Sequence, residues 1–213
     1  MIVAAMLLIS IATVATVDAD ELTAIEMRLL ADAADGMLDD FSLLEGSLIA
    51  SGVTDSEKIA WYRADFAERT AALADACVDD ASEKTKSERV HDFLHNKLLT
   101  GKYYSTCTEV NRAFDAGDYN CVTATILYHC ISATQSLSPV AVATNTHVRS
   151  RFLGAPPIDV ETTCRDWFDV VRRDSHAMKF RTEQQATRQL TDGELLAKIY
   201  YNRGVSLLEK KAF

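Results

Sequence analysis

The 213-residue chain is 48% hydrophobic and 25% charged and has only 3 prolines, a composition that excludes wholesale disorder and allows a full core. Its net charge of −9 is unevenly distributed, because residues 1–97 hold 8 basic and 19 acidic side chains and residues 98–213 hold 14 and 12. Neither half has the basic stripe that binds phosphate backbones, so we expect no nucleic-acid partner.

The first 19 residues form an apolar segment that predicts either a signal peptide or a buried N-terminal helix. Ile2–Val17 has the length of a signal h-region and is shorter than the roughly 20 residues of a spanning helix, and small residues allow cleavage after Ala19. Against export, the first basic residue is Arg28. We expect an exported, periplasmic or membrane-anchored protein with N-terminal membrane association, the alternative being a cytoplasmic one.

Residues 20–89 are predicted to form a helical layer. Apolar side chains recur at spacings of three and four over residues 25–48, with acidic residues between them, a pattern that predicts helical structure. Gly52 breaks this pattern, and Thr54 or Ser56 is expected to cap the next helix. We therefore expect this part of the chain to pack on the domain that follows it.

Two histidines with the spacing of half a zinc site follow a charged run at 79–89, which we interpret as a linker. His91 and His95 lie four residues apart, so a helix brings them to one face. The zincin pattern has Glu where Asp92 stands, and the sequence offers no evident third ligand. We expect a structural role for this pair, and neither a metal nor a cofactor.

The segment from Gly117 to Ile131 predicts a helix that begins with a cysteine. Turn-forming residues precede an apolar run with helical spacing, and Asn120 is a good N-cap, which places Cys121 in the first turn. The unpaired N–H groups and the positive end of the helix dipole at that position favour a thiolate, the nucleophilic form of cysteine. This position distinguishes Cys121 from the other four cysteines, and the chain contains no Cys-x-x-Cys pair.

A base and an acid for this nucleophile are predicted on neighbouring strands. Residues 138–152 predict one strand or two, with His147 among them, and a turn rich in Gly and Pro follows. In the next predicted strand, at 158–163, a period of two puts Asp159 and Glu161 on one face. A hairpin of these strands can set a carboxylate beside His147, which gives the chain order Cys, His, acid.

Three short motifs resemble the core of transglutaminase-like cysteine protease domains, and most of all the bacterial branch related to the SirB1 N-terminal domain. They are Asn-Cys-Val-Thr-Ala-Thr at 120–125, Thr-His-Val at 146–148 and Val-Glu-Thr-Thr at 160–163. The resemblance implies an α+β fold with a papain-like core at residues 90–190. In such a core a helix led by the cysteine packs on a small antiparallel sheet that carries the histidine and the acid.

The same resemblance implies roles for individual residues. Cys121 matches the nucleophile, His147 the base and Glu161 the acid. It also implies that the segment before the nucleophile forms one wall of the cleft. That wall contains three tyrosines that can contact substrate: Tyr103, Tyr104 and Tyr119.

Residues 191–213 resemble the first helix of a tetratricopeptide repeat. Asp192 is expected to cap this helix, and Gly204 stands where two such helices pack closely. One repeat cannot bury its apolar face alone, so either the chain is a fragment of a longer repeat protein or the helix docks on the core. We favour the first alternative, which implies a protein partner bound through the repeats.

Two functions fit these residues. In an enzyme, Cys121 attacks an acyl carbon of a protein or peptide substrate and His147 takes and returns the proton. Either Glu161 or Asp159 then orients the imidazole, and the backbone N–H of Cys121 helps to bind the oxyanion. The alternative is a non-catalytic module that binds protein through its cleft and its repeats. The order Cys, His, acid favours the enzyme, because a module without chemistry has no need of all three.

Overall fold

The described part of the chain is an α+β fold, as the sequence predicts at that level. The computed structural model describes residues 22–76, 82–169 and 187–211. The helices in these ranges are α1 (Ala24–Asp32), α2 (Leu43–Ala50), α3 (Ser56–Ala76), α4 (Glu83–Phe93), α5 (Asn111–Asp115), α6 (Cys121–Thr134) and α7 (Asp192–Lys211). The strands are β1 (Val140–Ala143), β2 (Val148–Phe152), β3 (Ile158–Val160) and β4 (Arg188–Leu190), and they form one antiparallel sheet in the order β3-β2-β1-β4.

The first two helices begin at capping boxes. In each box the N-cap side chain accepts the N–H of the third helical residue, and the side chain of that residue accepts the N–H of the N-cap. Thr23 pairs in this way with Glu26, and Ser42 with Glu45. The helical pattern predicted over residues 25–48 is therefore divided between two α-helices. Gly36 ends the first helical segment with a φ of 93°, a left-handed conformation that favours glycine.

Two further predicted boundaries also differ from the structure. The carboxylate of Asp55, rather than Thr54 or Ser56, caps α3, because it accepts the N–H of Lys58 at 2.8 Å. The charged run interpreted as a linker lies largely within α4, which starts at the cap Ser82. Charged side chains are compatible with a linker and with a helix, so the N-cap rather than the composition decides where the helix begins.

Helix α6 is the centre of the fold. Every residue from 122 to 132 is buried, and α6 contacts β2, α2, α4 and α7. A helix that is buried on all sides has neighbours on all sides. The surrounding elements therefore hold the first turn of α6, which contains Cys121, in a fixed position.

The sheet packs one face on α6 and carries charged side chains on the other. Residues 138–152 form two strands, β1 and β2, and on β2 the side chains of Val148, Ser150 and Phe152 are buried against the helix. Strand β4 pairs with the free edge of β1 and was not predicted, because two of its three residues are exposed and polar. The sheet therefore has the helix-facing and charged faces that a period of two predicts for β2.

Helix α7 docks on the core through its first half. Thr191, not Asp192, is its cap, since the Oγ1 of Thr191 accepts the N–H of Glu194 at 3.2 Å. Leu195, Leu196 and Ile199 are buried, and Leu196 lies so close to the backbone of α2 that a β-carbon at Gly46 would stand 2.9 Å from its Cδ1. Docking on the core, one of the two alternatives for this helix, therefore holds for its first half.

Among residues 22–76, 82–169 and 187–211 no helix has the length and hydropathy that a membrane span requires. Residues 1–19, predicted as a signal peptide or an apolar helix, lie outside the described residues. Both interpretations of that segment stay predictions.

A histidine in the core makes the stability of the fold depend on pH. Burial lowers the pKa of His129 to about 4, and its Nε2 lies 3.0 Å from the Oγ of Ser150. The unfolded chain binds this proton with a pKa of about 6.5, so stability falls as the pH drops from about 6.5 to about 4.

His129→Gln keeps an N–H donor and does not titrate. We expect this variant to lose up to about 3 kcal/mol less of its free energy of unfolding when the pH is lowered from about 6.5 to about 4. Urea unfolding of both proteins at pH 7, 5.5 and 4.5 measures it. Burial also lowers the pKa of His95 to about 4, so that residue keeps its own share of the pH dependence in the variant. Parallel stability profiles for the two proteins would contradict the assignment to His129.

Candidate active site

The nucleophile candidate is held in place by the cap of α6. The Oδ1 of Asn120 accepts the N–H groups of Val122 and Thr123, both at 2.9 Å, and the Oγ1 of Thr123 accepts the N–H of Asn120 at 2.8 Å. Cys121 therefore occupies the first position of the helix, where the dipole favours an anion. The residue is half-buried, whereas Cys107 and Cys130 are buried.

The base candidate stands at the start of β2, where the turn from β1 ends. Thr144 and His147 fix this turn, because the N–H of Thr144 donates to the carbonyl of His147 at 2.8 Å and the N–H of His147 donates to the Oγ1 of Thr144 at 3.2 Å. The Nε2 of His147 lies 2.6 Å from the Oε2 of Glu161. The side chain of Cys121 is the first cause of the raised pKa of the same ring. Since Nε2 is occupied by the carboxylate, Nδ1 is the nitrogen left for the thiol.

Glu161 is held as firmly as the histidine. Its second carboxylate oxygen, Oε1, accepts the N–H of Thr163 at 3.1 Å and the hydroxyl of the same residue at 2.6 Å. The residue is only 8% exposed. A carboxylate with three hydrogen bonds has one stable orientation, so it can fix the orientation of the imidazole.

The electrostatics of the cluster favour a charged histidine. The hydrogen bond with Cys121 and then that with Glu161 raise the pKa of His147 to about 10, although burial acts in the opposite direction. Burial tends to raise the pKa of Glu161, but the hydrogen bonds from His147 and Thr163 outweigh it and lower this pKa below its usual value. An imidazolium beside Glu161 therefore stabilises the carboxylate form of that residue.

Asp159, the other acid that the sequence allows, lies on the same face but not beside the histidine. The β2–β3 register sets it opposite Arg151, whose guanidinium binds its carboxylate in two contacts of 2.7 and 2.9 Å. Arg149 approaches the same carboxylate at 3.4 Å. In the structure Glu161 therefore contacts His147, and Asp159 forms ion pairs with the two arginines.

The three tyrosines predicted to form a wall of the cleft lie in different surroundings. Tyr103 and Tyr119 form a parallel β-bridge. Next to it, Gly101 and Gly117 are in close contact, since a β-carbon on Gly117 would lie 2.5 Å from the backbone nitrogen of Gly101. Burial and then the charges of Cys121 and Glu161 raise the pKa of Tyr103, which is 45% exposed. Of the two exposed tyrosines, Tyr103 is therefore the one whose hydroxyl the charges of Cys121 and Glu161 influence.

The other two tyrosines lie elsewhere. Tyr104 lines a cavity of about 680 Å³ together with Cys107 and Arg112. Tyr119 is buried and donates its hydroxyl to the carbonyl of Thr163 at 3.2 Å, so it supports the acid-bearing loop and does not face substrate.

The remaining thiols of the described residues provide references for Cys121. Cys107 and Cys130 are buried, and burial raises the pKa of both. Cys164 is half-buried, and all four cysteines in the described ranges are free thiols. Cys164 is therefore the natural internal control for the reactivity of Cys121.

Two residues around the acid were not identified from the sequence. Thr163 holds Glu161, and its only signal was its place in the Val-Glu-Thr-Thr motif. The buried ring of His91 places its Nε2 3.3 Å from the carbonyl oxygen of Glu161, although its spacing from His95 resembled half of a metal site. In the described part of the chain no cluster of three or more His, Cys, Asp or Glu side chains could hold a metal ion.

Comparisons with family models, curated proteins and solved structures give no match to this chain. The roles of Cys121, His147 and Glu161 therefore rest on the geometry above and on the resemblance of the three motifs.

Proposed function

We propose that this chain catalyses cysteine-dependent acyl transfer or hydrolysis at peptide or amide bonds. The observation that carries the proposal is the placement of one imidazole: the Nε2 of His147 contacts Glu161 at 2.6 Å, and its pKa is raised first by the side chain of Cys121 at the start of a buried helix. A helix led by the cysteine and packed on an antiparallel sheet also supports a papain-like core of the transglutaminase-like, SirB1-related type.

The reaction follows from the protonation states of these groups. The Sγ of Cys121 forms a bond to the acyl carbon while His147 holds the proton that the thiol has lost. His147 then gives that proton to the leaving amine as the carbon–nitrogen bond breaks, which leaves an acyl-thioester on Cys121. Water or a second amine attacks the thioester, transfers a proton to His147, and the thiol is regenerated when that proton returns to sulfur.

The oxyanion of each tetrahedral intermediate needs donors close to the sulfur. The cap of α6 uses the Oδ1 of Asn120 for the N–H groups of Val122 and Thr123. That arrangement leaves the N–H of Cys121, at the positive end of the helix, for the substrate oxygen. The cap and the oxyanion site therefore do not compete for the same donors.

A second candidate is the non-catalytic binding module, which one observation favours. The second half of α7 exposes large apolar side chains, with Tyr201, Leu207 and Leu208 exposed by 70%, 55% and 72%. A repeat-like helix of this kind can bind a protein segment. The two candidates differ in one measurable property, the reactivity of Cys121.

Labelling by a panel of peptides that carry a vinyl sulfone or chloromethyl ketone tests the proposal. We expect Cys121 to be modified at least about tenfold faster than Cys164 in the same molecule, because only the first sits at a helix start beside an imidazolium. Tryptic mass spectrometry measures both rates, and Cys121→Ser serves as the control. Equal rates at the two thiols would leave the binding module as the better description.

A further inference from the structure

The loop that carries the acid is fixed by three buried side chains from other elements. The Nε2 of His91 lies 3.3 Å from the carbonyl oxygen of Glu161, and the Oγ1 atoms of Thr125 and Thr162 are 2.9 Å apart. The third contact is the hydroxyl of Tyr119 on the carbonyl of Thr163. Each residue of the segment 161–163 therefore has its own support.

Of these supports, His91 acts on the acid itself. A carbonyl oxygen only accepts hydrogen bonds, so the Nε2 of His91 must carry the proton. The N–H of Glu161 is held at the same time by the carbonyl of Trp167 at 3.1 Å. The peptide groups on both sides of the Glu161 α-carbon are thus held, and the direction of its side chain is set before His147 contacts it.

The ring of His91 is packed among other rings. The ring is fully buried, with ring centroids of His95 at 4.8 Å, Phe168 at 5.8 Å and Tyr128 at 6.4 Å. An apolar residue of similar size would fill this space without the hydrogen bond. The choice of an imidazole at this position therefore needs a reason other than volume.

We propose that His91 is a positioning residue for the Cys121–His147–Glu161 site, which acts by holding the main chain of Glu161 through its Nε2–H group. The inference rests on the proposed function. It gives His91 a role as the support of an acid instead of one half of a metal site. Loss of the donor should let the carboxylate move away from the imidazole, and the proton affinity of His147 should fall with it.

The test compares two substitutions at position 91 in a Cys121→Ser background, where Glu161 is the one member of the trio left to hold His147. The pKa of the His147 ring is measured by NMR titration, with the signal assigned by its loss in His147→Ala. We expect His91→Leu to lower this pKa by about one unit or more. His91→Gln keeps an N–H donor near the Nε2 position and should restore most of the difference.

His129→Leu is the matched control. It removes another buried imidazole, one whose partner is Ser150 and not the acid, so it should lower stability and leave the pKa of His147 unchanged. In the Cys121 protein, iodoacetamide at pH 6 should label Cys121 about five- to tenfold more slowly in His91→Leu than in His129→Leu. A folded His91→Leu protein with an unchanged His147 pKa overturns the inference.

A measurement on the unsubstituted protein covers the case in which His91→Leu does not fold. Long-range proton–nitrogen NMR correlations report the tautomer of His91, and we expect Nε2–H. The Nδ1–H tautomer would exclude donation to the Glu161 carbonyl and overturn the inference. Neither NMR result depends on a reactive Cys121, so failure of the proposed function and failure of this inference can be told apart.

Discussion

His147→Ala is expected to lower kcat/KM for hydrolysis of a peptide anilide by about 100- to 10,000-fold, the usual contribution of a general acid and base. The variant has no group to take the thiol proton or to give one to the leaving amine. Release of the aniline, followed by absorbance, measures the effect. A variant that hydrolyses the anilide as fast as the unsubstituted protein would show that His147 is not the base.

Alkylation separates the effect of His147 on the thiol from its effect on the leaving group. An ordinary thiol is only about 0.3% ionised at pH 6, and an imidazolium neighbour can raise that fraction by about two orders of magnitude. A more acidic thiolate is also a weaker nucleophile, which offsets about one of those orders. We therefore expect His147→Ala to slow iodoacetamide labelling of Cys121 about tenfold at pH 6.

The pH dependence gives the control. His147 is charged below its raised pKa of about 10, whereas an unassisted thiol is largely ionised only near pH 9. The unsubstituted protein should thus react about tenfold faster at pH 6, and this advantage should shrink and then reverse toward pH 9, where both thiols are ionised and only the lower nucleophilicity of the paired thiolate remains. The labelling of Cys164 should stay the same in both proteins. A constant ratio across this range would contradict the ion pair.

The local features of the site could be predicted because each depends on few residues. An Asn followed by a Cys and an apolar run is enough to define a capped helix start, and the structure has that cap. The period of two along a strand put Asp159 and Glu161 on one face. It could not choose between them, since the choice depends on the register that pairs Arg151 with Asp159.

Features that depend on distant partners could not be predicted, because a local sequence pattern does not show which residues become neighbours in the fold. Strand β4 consists of Arg188, Gln189 and Leu190 and has no alternating pattern of its own, so only its pairing with β1 makes it a strand. The role of His91 depends on a carbonyl 70 residues away. Two histidines at i and i+4 look the same in a sequence whether they bind a metal or a main-chain oxygen.

Glu161→Gln is expected to lower kcat/KM for the same anilide about 100-fold or more, because it reverses the hydrogen bond that sets the tautomer of His147. The Oε1 of the new amide can still accept from Thr163, which turns its NH2 group toward the imidazole. Nε2 must then accept a hydrogen bond, so the neutral ring carries its proton on Nδ1, the atom that should take the proton from Cys121.

Asp159→Asn is the matched control, since it changes the other acid on the same face of the sheet. It leaves two arginines without their carboxylate, so we expect a loss of stability of about 1–3 kcal/mol, but a change in kcat/KM of less than about threefold. Urea unfolding and anilide hydrolysis on the two variants separate these effects. Only Glu161 contacts the ring of His147, while both acids contribute to the electrostatic field around it. Equal losses of activity in the two variants would therefore mean that the negative charge of the sheet face, and not the orientation of Glu161, supports His147.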